Sequence, residues 1–163
     1  MNIEICQADL FIPGLLTLMN QLDAYQSALY PYENNYVESL DSLAQIETFV
    51  YVVKYEEGIV GCAILARPKT PYSEIKRVFV SPDYRGQGVA QRLITALLHQ
   101  ANALISKEIH LETGVYQPEA IKLYQRLGFE LTSQFGRYEY DPLSVYMMQS
   151  LDSGHRANHE QHA

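Results

Sequence analysis

Arg85, Gly86 and Gly88 sit in a short segment between an apolar run and a long amphipathic one, in the stretch EIKRVFVSPDYRGQGVA at residues 74–90. The stretch reads as a buried strand, a tight turn and a loop that opens a helix. Such a loop is an anion site: glycines let the backbone approach a phosphate with no Cβ in the way, and the first free N–H groups of the helix point at it. Arg85 adds a positive charge beside them. The ligand implied is a pyrophosphate-bearing cofactor. Two common phosphate loops fail on spacing. A nucleoside-triphosphate loop needs Lys and Ser or Thr after its last glycine, where this chain has Val89 and Ala90, and a dinucleotide fingerprint begun at Gly86 needs Gly or Ala where Gln91 stands.

The pattern that does fit is Arg-x-x-Gly-x-Ala, from Arg85 through Gly88 to Ala90. It resembles the acetyl-CoA pyrophosphate signature of the GNAT superfamily of N-acetyltransferases. A second segment follows in the expected order, QPEAIKLYQRLGF at residues 117–129. It reads as a short helix with Pro118 at its start and Gly128 past its end. It is similar to the family's Asn-x-x-Ala-x-x-Leu-Tyr-x-x-x-Gly-Phe, with Gln117 in place of the Asn. The resemblance spans residues 50–151 and is to small single-domain bacterial members.

The resemblance implies a fold, a cofactor and site residues. The fold is α/β (α+β): one domain over residues 1–152, with a mixed, mostly antiparallel sheet, a splayed parallel strand pair and helices on both faces. Acetyl-CoA would contact Val78, Phe79, Val80, Arg85, Gly86, Gln87, Gly88, Val89, Ala90, Gln117, Ala120 and Tyr124. Val78 and Val80 would do so through backbone groups while also serving as core valines. Tyr124 takes the position of a general acid near the CoA sulfur, or is the apolar face of its helix. Glu74 stands where some members carry a catalytic glutamate with a pKa raised by burial; the other readings are a strand-end partner of Lys76 or Arg77, Glu33 as the base, or ordered water alone. The acceptor, a small-molecule amine or amino-acid-like compound, would meet Glu33, Tyr32, Tyr36, Arg77 and Tyr138. A non-catalytic acyl-CoA-binding sensor is the alternative reading.

These residues need elements to hold them. Alternation at Ile3 and Ile5 gives a first strand, and Pro13 opens an amphipathic helix. A short helix over residues 37–44 leads to a hairpin over 49–66 that turns at Glu56, Glu57 and Gly58. Strand 74–80, helix 88–106, strand 109–112 and helix 118–127 then alternate, which implies parallel strands joined by crossovers. Strands over 129–135 and 145–151 finish the domain. Residues 153–163 lack apolar periodicity and read as a disordered tail.

Composition agrees. The 163 residues suffice for one domain, and 47% hydrophobic with 19% charged residues is an ordinary globular mixture. With 19 acidic against 12 basic residues the net charge is −7, which disfavours nucleic acid and favours cationic acceptors. No run is long and apolar enough to span a bilayer and the first residues do not form a secretory signal, so the expected location is cytoplasmic with no membrane partner. Cys6 and Cys62 have no metal-type spacing and read as reduced core residues, and no metal is expected. The 13 tyrosines without tryptophan supply rings and hydroxyls for an amine with an apolar part. A monomer or a homodimer is expected, and the apolar run at 145–151 is compatible with an edge that pairs between copies.

Overall fold

The computed structural model describes residues 2–31, 38–68, 71–104 and 106–151. Strand β1 (Ile3–Ala8) is followed by helices α1 (Leu15–Leu29) and α2 (Leu40–Leu43), and then by strands β2 (Glu47–Tyr55), β3 (Gly58–Arg67) and β4 (Tyr72–Val80). After β4 come a single 3₁₀ turn (Pro82–Tyr84), helix α3 (Val89–Ala103), β5 (Glu108–Gly114), α4 (Pro118–Arg126), β6 (Glu130–Thr132) and β7 (Ser144–Ser150). The strands form one sheet in the order β1-β2-β3-β4-β5-β7-β6. Among the described residues only β4 and β5 run parallel, as the crossover pattern demands; the other neighbours are antiparallel. Among the described residues no helix is long and apolar enough to cross a membrane.

Two apolar clusters clamp the sheet, one on each face. Val53, Ala63, Leu65 and Ile75 pack with Leu93, Ile94 and Leu97 of α3 and Tyr124 of α4. Val50, Val52, Cys62 and Ile64 pack with Leu15, Leu18, Met19 and Leu22 of α1 and Leu43 of α2. Alternate residues of the same strands thus go to opposite faces, as the pleat requires. Both cysteines are free; burial pushes the Cys62 thiol up to about 12, so it stays protonated in the core.

Several boundaries differ from those the sequence suggests. The hairpin turn is two residues, not three: Tyr55 pairs with Gly58, and Glu56 takes the positive φ of 55° that the tight turn needs. The short second helix is one turn, capped by Ser39, whose Oγ accepts from the Ser42 N–H at 3.1 Å. Helix α3 ends at Ala103 rather than at 106. The expected strand over 129–135 contracts to Glu130–Thr132, because the chain then folds inward and Phe135 packs on Tyr72, His110, Tyr138 and Tyr146. Strand β7 lies between β5 and β6: residues 144–150 pair with β5, and Tyr146, Met147 and Met148 pair with β6 as well. The expected tail at 153–163 lies outside the described residues.

Candidate active site

The parallel ladder between β4 and β5 ends at the pair Ile75 and Leu111, and beyond it a cleft of about 410 Å³ is lined by both strands. Residues 76–80 of β4 have no partner on β5, which leaves backbone donors and acceptors for an extended ligand to pair with. The cleft connects the two faces of the sheet. Ala90, Ile94, Ala120, Leu123 and Tyr124 line it on the α3–α4 side, and Leu22, Tyr25, Tyr30 and Lys76 on the α1 side.

A β-bulge sets which side chains look into it. Between Cys62 and Ile64, β3 advances two residues while β4 advances three, from Phe79 to Lys76. The extra residue inverts the alternation, so Lys76 and Arg77 both turn toward the α1 side before Val78 returns to the α3 side. Arg77 carries the strain, with φ at 58°, a cost of about 1–2 kcal/mol. A two-point pair with Asp23 of α1, at 2.6 and 3.3 Å, holds it there. Arg77, an expected substrate contact, lines the cleft with its charge already answered by Asp23.

The phosphate loop has the geometry that its glycines predict. Gly86 and Gly88 have φ of 76° and 77°, and a Cβ on either would meet nothing within 4 Å. That open space lies at the N-terminus of the 15-residue helix α3, where the first N–H groups have no intrahelical acceptor. A pyrophosphate fits there. Arg85 is pinned rather than projecting: its Nε–H donates to the Val80 carbonyl at 2.8 Å, and its guanidinium lies 5.6 Å from the Tyr25 ring centre and 5.3 Å from that of Phe79. Of the expected cofactor residues, Val78, Phe79, Val80, Arg85, Ala90, Gln117, Ala120 and Tyr124 line the cleft. Gln87 and Gly88 border a shallower groove on the outer side of α3, and the Val89 side chain is buried in the core, so only its backbone can face a ligand.

Glu112 lines the cleft, with Glu38 and Glu119, and Glu74 does not. Glu74 is 6% exposed and does not line the cleft; its Oε2 accepts from the Tyr138 hydroxyl at 2.7 Å and lies 3.3 Å from Lys76 Nζ. Lys76 also reaches Glu38 at 3.2 Å, so its charge is shared between two carboxylates. Glu112 lines the cleft from β5, one residue past the last parallel pair. Burial pushes it up to about 7, aided by the charges of Glu74 and Asp141 and opposed by the Ser144 hydroxyl, which donates at 2.8 Å, and by Lys76. A carboxylate near 7 is poised to take a proton at neutral pH.

Tyr124 is nearby. Burial and then the Glu112 charge raise its phenol well above the ordinary tyrosine range, so it remains a proton donor at neutral pH. Its ring is fixed edge-on against Phe129, with centroids 5.7 Å apart. Tyr138 lines the acceptor side, while Tyr140 is 74% exposed and points elsewhere. Glu33, Tyr32 and Tyr36 lie outside the described residues. Glu112, Glu38 and Tyr116 line the cleft without having been singled out by the sequence.

The acetyltransferase (GNAT) family model matches residues 16–129. A protein named IAA acetyltransferase from Azospirillum brasilense is 36% identical over 151 residues, which cover 92% of this chain and 99% of that protein. The uncharacterized N-acetyltransferase YsnE of Bacillus subtilis is 27% identical, covering 84% of this chain and 92% of its own. Among solved structures, a Klebsiella pneumoniae protein provisionally assigned as an acyl-CoA N-acyltransferase superposes with a TM-score of 0.77 at 28% identity, covering 92% of this chain and 98% of that one. A GNAT family acetyltransferase from Elizabethkingia anophelis, crystallised with acetyl-CoA bound, shares the fold at a TM-score of 0.69 and 20% identity, with 92% and 99% covered. With this match over most of its length, a sheet that splays at one parallel pair and a glycine cradle at the head of α3, the chain belongs to the GNAT family of acetyltransferases.

Proposed function

We propose that the protein transfers acetyl from acetyl-CoA to the primary amine of a small cationic or amino-acid-like acceptor, by direct attack in a ternary complex. The observation that carries this reading is Glu112, a carboxylate held near pH 7 in the same cleft as the proton-donating Tyr124. Acetyl-CoA supplies an activated thioester. The cradle at Gly86 and Gly88 takes its pyrophosphate, and the unpaired edge of β4 takes its amide-bearing arm. Glu112 accepts the proton that an acceptor ammonium must lose before its nitrogen can attack. As the amide bond forms and the C–S bond breaks, the Tyr124 hydroxyl donates to the departing sulfur, and the second proton that the acceptor nitrogen sheds on becoming an amide restores the phenol.

A cationic acceptor is favoured by the lining of the α1 side, where Glu38 and Glu112 stand among the rings of Tyr25, Tyr30 and Tyr138 and the Lys76 charge is offset by its two partners. The deciding experiment incubates the protein with acetyl-CoA and a panel of cationic, zwitterionic and neutral amines and reads acetylated product by mass spectrometry. Product with cationic amines before neutral ones supports the reading. Saturable acetyl-CoA binding with no product from any amine or peptide would favour a non-catalytic acyl-CoA sensor.

Removal of the Tyr124 hydroxyl tests the acid directly. In Tyr124→Phe the ring still packs on Phe129, so the melting temperature stays within about 2 °C. kcat falls about 100-fold with little change in acceptor KM. Unchanged turnover would assign Tyr124 to packing alone.

A further inference from the structure

Tyr30 caps the C-terminal end of α1 and crosses the cleft to β5 and the start of α4. Its hydroxyl lies so close to Gly114 that a Cβ there would overlap it, so the crossing requires glycine at the end of β5. The hydroxyl makes two hydrogen bonds. It accepts from the Tyr116 N–H at 3.2 Å and donates to Gln117 Oε1 at 3.0 Å, and its ring packs on Tyr116 with centroids 5.4 Å apart. At 9% exposure the phenol needs an acceptor for its one proton, because a buried unpaired donor costs about 1–3 kcal/mol.

This bonding fixes an orientation. The atom of Gln117 that meets the phenol is Oε1, which can only accept, so the phenol proton goes to Gln117 while the Tyr116 N–H takes one phenol lone pair. A flipped amide would set its NH₂ against the phenol and take away the acceptor of the phenol proton, at a cost of about 1–3 kcal/mol. Nε2 is thereby left as the free donor of a residue that lines the cleft. Gln117 also precedes Pro118, the first residue of α4, so it stands at the junction of the acceptor-side helix α1 and the cofactor-side helix α4.

We infer that Tyr30 is a positioning residue: it locks the Gln117 amide with its NH₂ turned into the cleft, where it donates to an amide carbonyl of the acyl-CoA arm. The inference rests on acetyl-CoA occupying this cleft and adds to it a residue from α1 that need not touch the ligand. Two sites are tied by one hydroxyl. Loss of the hydroxyl frees the amide to rotate, and cofactor affinity falls although no group contacting cofactor has been removed.

The test is a double-substitution cycle on acetyl-CoA affinity, measured by calorimetry on wild type, Tyr30→Phe, Gln117→Ala and the double variant. Tyr30→Phe should weaken binding about five-fold, the scale of one hydrogen bond. Gln117→Ala should weaken it at least as much, and the double variant no further than Gln117→Ala, since the phenol then has nothing to orient. Gly114→Ala, whose Cβ would overlap both the hydroxyl and the ring edge and so displace the phenol without altering it, should reproduce the loss. Wild-type affinity in Tyr30→Phe, or additive losses in the double variant, would overturn the inference while leaving the acetyl-CoA reading intact. Failure of wild type to bind acetyl-CoA would overturn both.

Discussion

Replacing Glu112 with Gln lowers kcat/KM for an amine acceptor by about 10²–10⁴-fold and removes an ascending limb from its pH profile. In wild type the carboxyl releases its proton near pH 7, so the rate rises with pH through that value as the base form fills. Gln keeps the shape of the side chain and still accepts from the Ser144 hydroxyl, yet takes no proton at any pH. The acceptor's own ionisation enters both profiles equally, so the difference between them isolates Glu112. A limb near pH 7 that survives in Glu112→Gln would move the base elsewhere or leave the step to water.

The same substitution has a stability signature of opposite sign. Glu112 holds its proton up to about pH 7 in the folded state, against 4.5 for an ordinary glutamate. Folding is therefore favoured by this group below pH 4.5, and that contribution is lost as pH rises toward 7. At pH 8 the folded protein bears a buried charge that the unfolded chain would solvate. Glu112→Gln should then raise stability by up to about 3 kcal/mol, at about 1.4 kcal/mol per pH unit, and give no gain at pH 4. Denaturant melts at the two pH values read this directly. A less active but more stable variant is what a carboxylate held for chemistry produces.

How legible this site was depends on how local its causes are. The glycine loop is local: the sequence asks for backbone free of Cβ where a helix opens, and Gly86 and Gly88 stand there at φ 76° and 77° with open space beside them. The crossover order was legible too, since strands alternating with helices leave little choice but a parallel pair. Glu112 was not. Its proton affinity comes first from burial and then from the charges of Glu74 on another strand and Asp141 in a loop, none of which leaves a mark near position 112. Tyr30 was read as one tyrosine among several because its partner lies 87 residues away. Glu74 misled for a related reason. The sequence puts it at the head of a strand over 74–80; it is the third residue of β4, and the bulge at Arg77 and the inward turn of Phe135 and Tyr138 set it behind the cleft wall.

Gly88→Asp should abolish acetyl-CoA binding in the micromolar range, a loss of more than 10³-fold, while leaving the fold in place. The structural half rests on two observations. Nothing lies within 4 Å of a Cβ at this position, and its backbone, at φ 77° and ψ 12°, is left-handed, which Asp and Asn tolerate better than other side chains. The cost to the apo protein is about 1 kcal/mol of backbone strain, and α3 stays anchored through Val89, Leu93, Ile94 and Leu97. The binding half is steric and electrostatic at once: a carboxylate enters the space meant for a pyrophosphate and faces it at close range. Gly88→Asn, equal in size but neutral, should fall between wild type and Gly88→Asp. S-acetylpantetheine separates a cradle from a merely structural loop, because it carries the thioester and the amide arm without the pyrophosphate. Wild type and Gly88→Asp should use it with equal kcat/KM, although only wild type gains when acetyl-CoA replaces it. If Gly88→Asp lost both donors equally, the loop would be shaping the cleft rather than holding phosphate.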